Sequence, residues 1–371
     1  MSGGKSQSIT RRRALATVGA SLGAGVAGCT GGGTSGETTG NGDGSSTTPL
    51  SVILNWKPNP TQAGYFVAKN KGYYEEEGLD VELVSGQGGG FAAKQVGLGN
   101  YDIGLGGGVA VLQARAKDLS VQSVAAAQQS SNAALFTVAE QFDGEKLTKP
   151  SQLKGTRIAV VSGSAKTKTY IKSLLRKEGI SDQVELVSVG TEQQTSNLLS
   201  GNVDVATGIF SNALALRMRG YDASMMLIGN HVPTVGRTVF AQPSFVQNDP
   251  ETIEAFLRGT ARGWAWASNN PESAEDVMIE AKPSLEESRE LGITKIKFTA
   301  ANLILTDAVA EHGWGWQSES TWNSVHKTLA EGGVLPSGLS VGSAWTNELR
   351  PDAPVVREYA KQVNIDYSVD V

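Results

Sequence analysis

The chain has 371 residues, 39% hydrophobic and 19% charged, which is enough to build two domains or one large one around a buried core. A formal net charge of -5 argues against a basic surface for nucleic acid or anionic membrane. One cysteine, Cys29, excludes a disulfide framework and a cysteine-based metal site; three separated histidines, His231, His312 and His326, are thin material for a catalytic or zinc centre.

The first segment reads as a leader. Thr10-Arg11-Arg12-Arg13-Ala14-Leu15 is a twin-arginine type start, and the apolar run 14–27 that follows is too short for a membrane span of about 20 residues. The run closes on Val26-Ala27-Gly28-Cys29, which resembles a lipoprotein signal box whose cysteine takes a lipid and becomes the mature N-terminus; the alternative is an ordinary signal peptide with a chance cysteine. Residues 1–28 are therefore expected to be a twin-arginine-type lipoprotein signal peptide and 29–49 a flexible Gly/Ser/Thr tether. The working form is expected on the outer face of the cell membrane, held by the lipid on Cys29.

The body opens with an apolar strand at 52–54 that runs into Asn55 and Trp56 and then a Pro-rich turn. A helix broken by Gly72, an aromatic and acidic turn at 73–77, a stop at Gly78 and a strand at 79–84 complete a β-α-β unit. In open α/β sheets ligands bind past the strands' C-terminal ends, where Asn55 and Trp56 sit.

The same plan returns. A strand at 157–161 ends in Ser162-Gly163-Ser164, and a helix at 167–177 carries Tyr170, Ile171, Leu174 and Leu175 at helical spacing before Glu178-Gly179 stops it. The sequence VELV occurs at 81–84 and again at 184–187. Gly99-Asn100-Tyr101-Asp102 is echoed by Gly201-Asn202-Val203-Asp204, each before a strand. Two copies are too few for a solenoid but fit two α/β lobes facing each other across a cleft.

Each lobe offers three strand-end loops: Asn55-Trp56, 86–90 with Gln87 and Gly88, and 104–108 with Gly106 and Gly107 in the first; 162–165, 190–194, and 208–212 with Phe210 and Asn212 in the second. Where these loops open helices, unpaired backbone N–H groups can face a polar or anionic ligand. The alternative is that the glycines serve only tight turns.

After Gly236 the pattern changes. Residues 237–241 read as a strand crossing back, and Asp249-Pro250 as an N-cap and first helical residue. Helix 251–267 places Ile253, Phe256, Leu257 and Trp264 on one side, Asn270-Pro271 starts another helix, and Trp322, Val325 and Leu329 mark one more. These helices are expected to pack on the first lobe. The Gly-rich run His312-Gly313-Trp314-Gly315-Trp316 reads as a surface loop, which makes Trp314 a candidate contact.

Taken together, Leu54-Asn55-Trp56, Gly64-Tyr65-Phe66-Val67-Ala68, the run 71–81 (KGYYEEEGLDV) and Gly99-Asn100-Tyr101-Asp102-Ile103-Gly104 resemble the NMT1/THI5-like branch of substrate-binding proteins that serve ABC importers. Binders of thiamine pyrimidines, nitrate, sulfonates and taurine are among its relatives. The resemblance covers roughly 50–330. It implies an α/β, two-lobed periplasmic-binding-protein-like fold of type II, each lobe a β-sheet flanked by helices, with hinge crossings near 136–139 and 237–241. Lobe 1 would comprise 50–137 and 240–371 with the C-terminal helices, and lobe 2 would comprise 138–239.

The function this implies is a solute-binding lipoprotein that captures a small heterocycle, such as a thiamine pyrimidine precursor, and delivers it to a permease with its ATPase. It would act as a monomer, without a cofactor or nucleic acid. Contacts are expected from Asn55, Trp56, Gln87, Gly88, Gly106, Gly107, Ser162, Gly163, Ser164, Phe210, Asn212 and Trp314, with an amide and an indole to hydrogen-bond and stack on a planar ring.

The chain departs from the pyrimidine binders at Gly106-Gly107-Gly108, where they carry a Ser-Tyr-Glu-type turn, and at Phe210-Ser211-Asn212-Ala213-Leu214, which lacks their acid. The glycines leave room for a larger heterocycle such as a flavin. Nitrate or a sulfonate would instead want Lys166, Lys168 or Arg237 and the amides of 162–164, although the lysines also fit a solvated helix face. Eukaryotic relatives of the fold are pyrimidine synthases that consume a bound pyridoxal phosphate and their own histidine and rely on a cysteine-rich iron motif. One cysteine and three histidines outside the opening loops match that poorly.

Overall fold

The computed structural model describes residues 47–369 apart from Thr191. The twin-arginine segment, Cys29 and the tether as far as residue 46 lie outside the described residues. No helix among the described residues is long and apolar enough to cross a membrane.

Two five-stranded sheets organise the chain. In the first, β1 (Thr48–Ile53), β2 (Leu79–Val84), β3 (Ile103–Gly107), β4 (Gln122–Ala126) and β10 (Arg237–Ala241) lie in the order β2-β1-β3-β10-β4. In the second, β5 (Ala133–Val138), β6 (Arg157–Val161), β7 (Glu185–Val189), β8 (Val205–Ile209) and β9 (Ala223–Leu227) lie in the order β7-β6-β8-β5-β9. The orders correspond position by position. In each, three parallel strands are followed by one that runs antiparallel to both its neighbours and then by a fifth in the direction of the first three; the antiparallel strand, in fourth place, is the one that arrives from the other sheet. Strand β1 begins at Thr48, two residues inside the expected tether, because Thr48 and Pro49 already pair with Leu79 and Asp80.

The repeated sequence signals have repeated structural causes. Asp102 Oδ2 accepts from the Ser51 amide and hydroxyl, at 2.8 and 2.6 Å, at the centre of β1. Asp204 Oδ2 accepts from the Arg157 amide at 2.7 Å at the start of β6, and its Oδ1 pairs with Arg157 Nη2 at 2.6 Å. Each Gly-Asn-x-Asp turn therefore pins the opening strand of its own β-α-β unit. The Arg157 hydrogen bonds hold the Asp204 carboxyl below its usual range against the opposing effect of burial.

The chain crosses between sheets at 127–132 and returns at 228–236. These crossings precede the expected 136–139 and 237–241, because β5 pairs along its length with β8 and β9, and β10 with β3 and β4. The two crossings run against each other: Gln128 N donates to Arg237 O at 3.0 Å, and a Cβ on Gly236 would sit 2.2 Å from Gln128 O. Only glycine allows that approach.

Helices α1 (Ala63–Asn70), α2 (Tyr73–Glu76), α3 (Gly89–Gly97) and α4 (Gly108–Arg115) serve the first sheet; α5 (Ala165–Lys177), α6 (Gln194–Leu199) and α7 (Phe210–Met218) serve the second. Then follow α8 (Pro243–Asn248), α9 (Pro250–Asn269), α10 (Pro271–Ala281), α11 (Arg289–Phe298), a π-helical segment (Thr299–Ile304), α12 (Asp307–His312) and α13 (Glu319–Glu331). Asp249 caps α9 through Thr252 N, with Pro250 in the first turn, as the sequence implies. Tyr65, Tyr74, Phe256 and Trp264 then lock α9 onto α1 and α2.

The C-terminal helices do not stay on the first lobe. Trp322, Val325 and Leu329 of α13 join one apolar cluster with Val111 and Leu112 of α4 and Tyr170, Ile171 and Leu174 of α5. Phe298 of α11 stacks on Phe210 of α7, with ring centroids 4.2 Å apart. The apolar faces of α5 and α7 need cover, and these helices supply it.

Between α10 and α11 lies an unusual carboxyl. Glu275 is fully buried, neither oxygen has a hydrogen-bond partner among the described residues, and a Cβ on Gly292 would sit 1.9 Å from Oε1. Burial pushes its pKa from 4.5 up to about 7, against the pull of Lys295 and Arg289. Between those values the folded chain keeps a proton that the unfolded chain has released. The destabilisation from this group therefore grows as pH rises from 4.5 and is complete above about 7. Glu275→Gln should gain stability relative to the parent on going from about pH 5 to about pH 8, by on the order of 1–3 kcal/mol, measured by urea unfolding. A pH-independent difference would contradict this account.

Candidate functional site

A cavity of about 240 Å³ opens where both sheets and both crossings meet. The first sheet contributes Asn55, just past β1, together with the starts of α3 at Gly89 and Gly90 and of α4 at Gly107, Val109 and Ala110. The crossings contribute Gln128, Ser131 and Asn132 on one side and the run 234–236 on the other, followed by Arg237 at the start of β10; α5 contributes Lys166 and Tyr170, one helical turn apart.

Asn55 is oriented by its neighbours. Gln62, fully buried in the short turn Pro60–Gln62, donates from Nε2 to Asn55 Oδ1 at 2.9 Å. Its own Oε1 accepts from Asn59 N at 3.1 Å, and Asn59 caps the turn. The Asn55 backbone oxygen accepts from Gly88 N at 2.8 Å. The Asn55 side-chain amino group is left without a protein partner among the described residues.

Arg237 braces the same turn. Its Nη1 donates to Thr61 O and its Nη2 to Thr61 Oγ1 at 3.1 Å. Desolvation lowers its pKa, but a guanidinium stays charged at any physiological pH. Lys166 is open to solvent through the cleft mouth yet close enough to protein for desolvation to lower its ammonium pKa. The starts of α3 and α4 carry no side-chain cap, so their first N–H groups add positive partial charge. No Asp or Glu lines the cavity among the described residues. The wall is rich in donors and carries fixed positive charge.

Of the residues expected to touch a ligand, Asn55 and Gly107 lie on this wall. Trp56, next in the chain to Asn55, is 53% exposed and is not one of the wall residues. Gln87 is exposed and Gly88 half-buried at the base of α3, while Gly106 is buried beneath the α3 start, its Cβ position 3.0 Å from Gly89 Cα. Ser162, Gly163 and Ser164 lead into α5, whose Lys166 reaches the wall in their place. Asn212 Oδ1 accepts from Ile209 N at 2.9 Å, serving the start of α7. Phe210 is fully buried against Phe298.

Trp314 is also buried, contrary to the surface position expected of its loop. Its amide donates to Val356 O at 2.8 Å and the neighbouring Gly315 O accepts from Ala126 N at 2.9 Å, so the loop is pinned between two distant segments. Sequence reasoning placed the crossings several residues too late and so named none of Gln128, Ser131 and Asn132 as contacts. The polar run Gln128-Gln129-Ser130-Ser131-Asn132 between two apolar strands was the available signal.

Residues 59–274, over half of the chain, match the family described as NMT1/THI5 like. The chain belongs to that family. A formylaminopyrimidine-binding protein of Halalkalibacterium halodurans is 27% identical to this NMT1/THI5-like chain over 290 residues, covering 76% of it and 85% of the relative. A 4-amino-5-hydroxymethyl-2-methylpyrimidine phosphate synthase of Saccharomyces cerevisiae is 26% identical over 255 residues, 65% of this chain and 73% of its own. The solved periplasmic aliphatic sulphonate binding protein of Escherichia coli shares the fold, with a TM-score of 0.64 at 13% identity over 80% of this chain and 91% of that one.

Gly107 has an ordinary backbone, φ -70 and ψ 150, and a Cβ there would meet nothing nearer than Gly236 O at 3.7 Å. Neither conformation nor packing requires glycine, so a side chain would simply enter the cavity. Gly107→Leu should keep the parent's melting temperature to within about 2 °C yet weaken binding of any solute the parent takes by at least about tenfold, whereas Gly236→Ala should lower the melting temperature by several degrees. Equal thermal losses in both variants would remove the distinction.

Proposed function

We propose that the protein is the outward-facing solute-binding component of an ABC importer, which holds a small heterocyclic solute between its sheets and presents it to a permease. The observation that carries this reading is the position of the cavity: its wall draws on both lobes and both crossings, so one solute touches all four at once. Ligand that bridges two lobes favours their closed arrangement, which a permease can recognise. The formylaminopyrimidine-binding relative supports a heterocycle, with the Asn55 amide on its edge and Trp56 free to swing over its face. Cys29 would carry the lipid and the segment after it would be the leash.

A second reading, an oxyanion such as a sulfonate or nitrate, is favoured by Lys166 and the two uncapped helix starts. Catalysis is less well supported. His231, His312 and His326 all lie off the cavity wall, and no cluster of metal-binding side chains occurs among the described residues.

Isothermal titration with formylaminopyrimidine, riboflavin, an alkanesulfonate and nitrate tests the reading. Heat with a heterocycle is expected, and silence from all four would overturn it. Trp56→Ala should weaken heterocycle binding by about tenfold; unchanged affinity would remove the stacking role. In cells, Cys29→Ser should shift the protein from the membrane fraction to the soluble fraction, and a protein still bound to the membrane would count against lipid anchoring.

A further inference from the structure

Two side chains on the cavity wall are buried without a partner. Gln128, in the first crossing, is 2% exposed and its amide nitrogen bonds nothing among the described residues. Tyr170, on α5, is 3% exposed and its hydroxyl is likewise unpartnered. Buried polar groups in this state destabilise the fold that carries them, so each needs a reason to persist. The unpartnered indole nitrogens of Trp264 and Trp322 have one, since those rings fill apolar clusters. Gln128 offers no such packing gain, and phenylalanine would fill the place of Tyr170 as well.

Both are firmly held. The Gln128 backbone is tied to Arg237 O at 3.0 Å, and the Tyr170 ring sits in the cluster that α5 shares with α13. They approach the cavity from different parts of the fold, the crossing and the second sheet's helix. An amide can turn either end toward a ligand, and burial drives the Tyr170 pKa far up, so its hydroxyl keeps the proton and can donate it in a hydrogen bond. Their neighbours on the wall are the Asn55 amino group, the starts of α3 and α4, neither with a side-chain cap, and Lys166. Among the described residues no carboxylate is there to receive a cation.

We propose that Gln128 and Tyr170 are specificity-determining residues that donate to an acceptor edge of the solute, a carbonyl, ring nitrogen or oxyanion, and that solutes presenting an ammonium to this wall are rejected. This rests on the reading of the cavity as a solute site. In the loaded protein both orphaned groups gain partners. A cation would instead lose its hydration opposite Lys166 and Arg237 with nothing to compensate it.

The test takes Tyr170→Phe and Gln128→Leu through ligand-free thermal melts and through titration with formylaminopyrimidine, riboflavin, an alkanesulfonate and nitrate. Ligand-free, both variants should melt at or above the parent temperature. With any of these solutes that the parent binds, each variant should lose about tenfold in affinity. Ligand-free destabilisation of both variants would mean that the groups serve the fold, and unchanged affinity would mean that they do not touch solute; either result overturns the proposal. Tight binding of spermidine by the parent would overturn it too. A parent silent to all four solutes would instead overturn the importer reading, and the ligand-free melts would still decide whether these groups are structural.

Discussion

The constraint on which the cavity depends is the passage of two backbone segments past each other between the sheets. Gln128 and Gly236 approach so nearly that no side chain fits at 236, and a hydrogen bond from Gln128 N to Arg237 O fixes their relative height. Everything at the cavity is referred to that crossing. Gly108 N donates to Gly236 O, so the start of α4 is hung from it. The Arg237 side chain leaves the same point to brace Thr61, and the turn containing Thr61 orients Asn55 through Gln62. The geometry of the site is thus carried by backbone and by fully buried side chains, the parts of a protein least able to drift.

This arrangement also explains the chemistry of the wall. Arg237 is occupied by Thr61, so its charge contributes a field more than a contact. The groups left to meet a ligand are Lys166, amides and hydroxyls. On the proposed reading, a wall of donors with no carboxylate among the described residues would discriminate by what it cannot neutralise as much as by what it binds.

What the sequence revealed was local. The strands at 79–84 and 157–161, the Asp249-Pro250 helix start and the paired Gly-Asn-x-Asp turns are written in neighbouring residues, and the aspartates' bonds to Ser51 and Arg157 show why the echo exists. What it concealed was non-local. Tyr170 shares a helical face with Ile171 and Leu174 and reads as core; only the fold brings its ring to the cavity edge. Trp314 reads as exposed until its loop is seen clamped between residues 126 and 356. The crossings shifted by several residues because β5 and β10 each register with one sheet along their whole length, which no periodicity discloses.

Helix α13 and the Phe210–Phe298 stack bear on how the protein would move. Both tie elements of the second sheet to helices that follow the return crossing. A hinge made only of two backbone strands would swing freely about them. With apolar side chains shared across the back, separation of the sheets must either slide these helices over α5 and α7 or expose their rings to water. On the proposed reading, the extent and speed of opening would then depend on the grip of the C-terminal helices as well as on the crossings. If the protein binds solute as proposed, substitutions in the Phe210–Phe298 stack would alter how readily it enters and leaves.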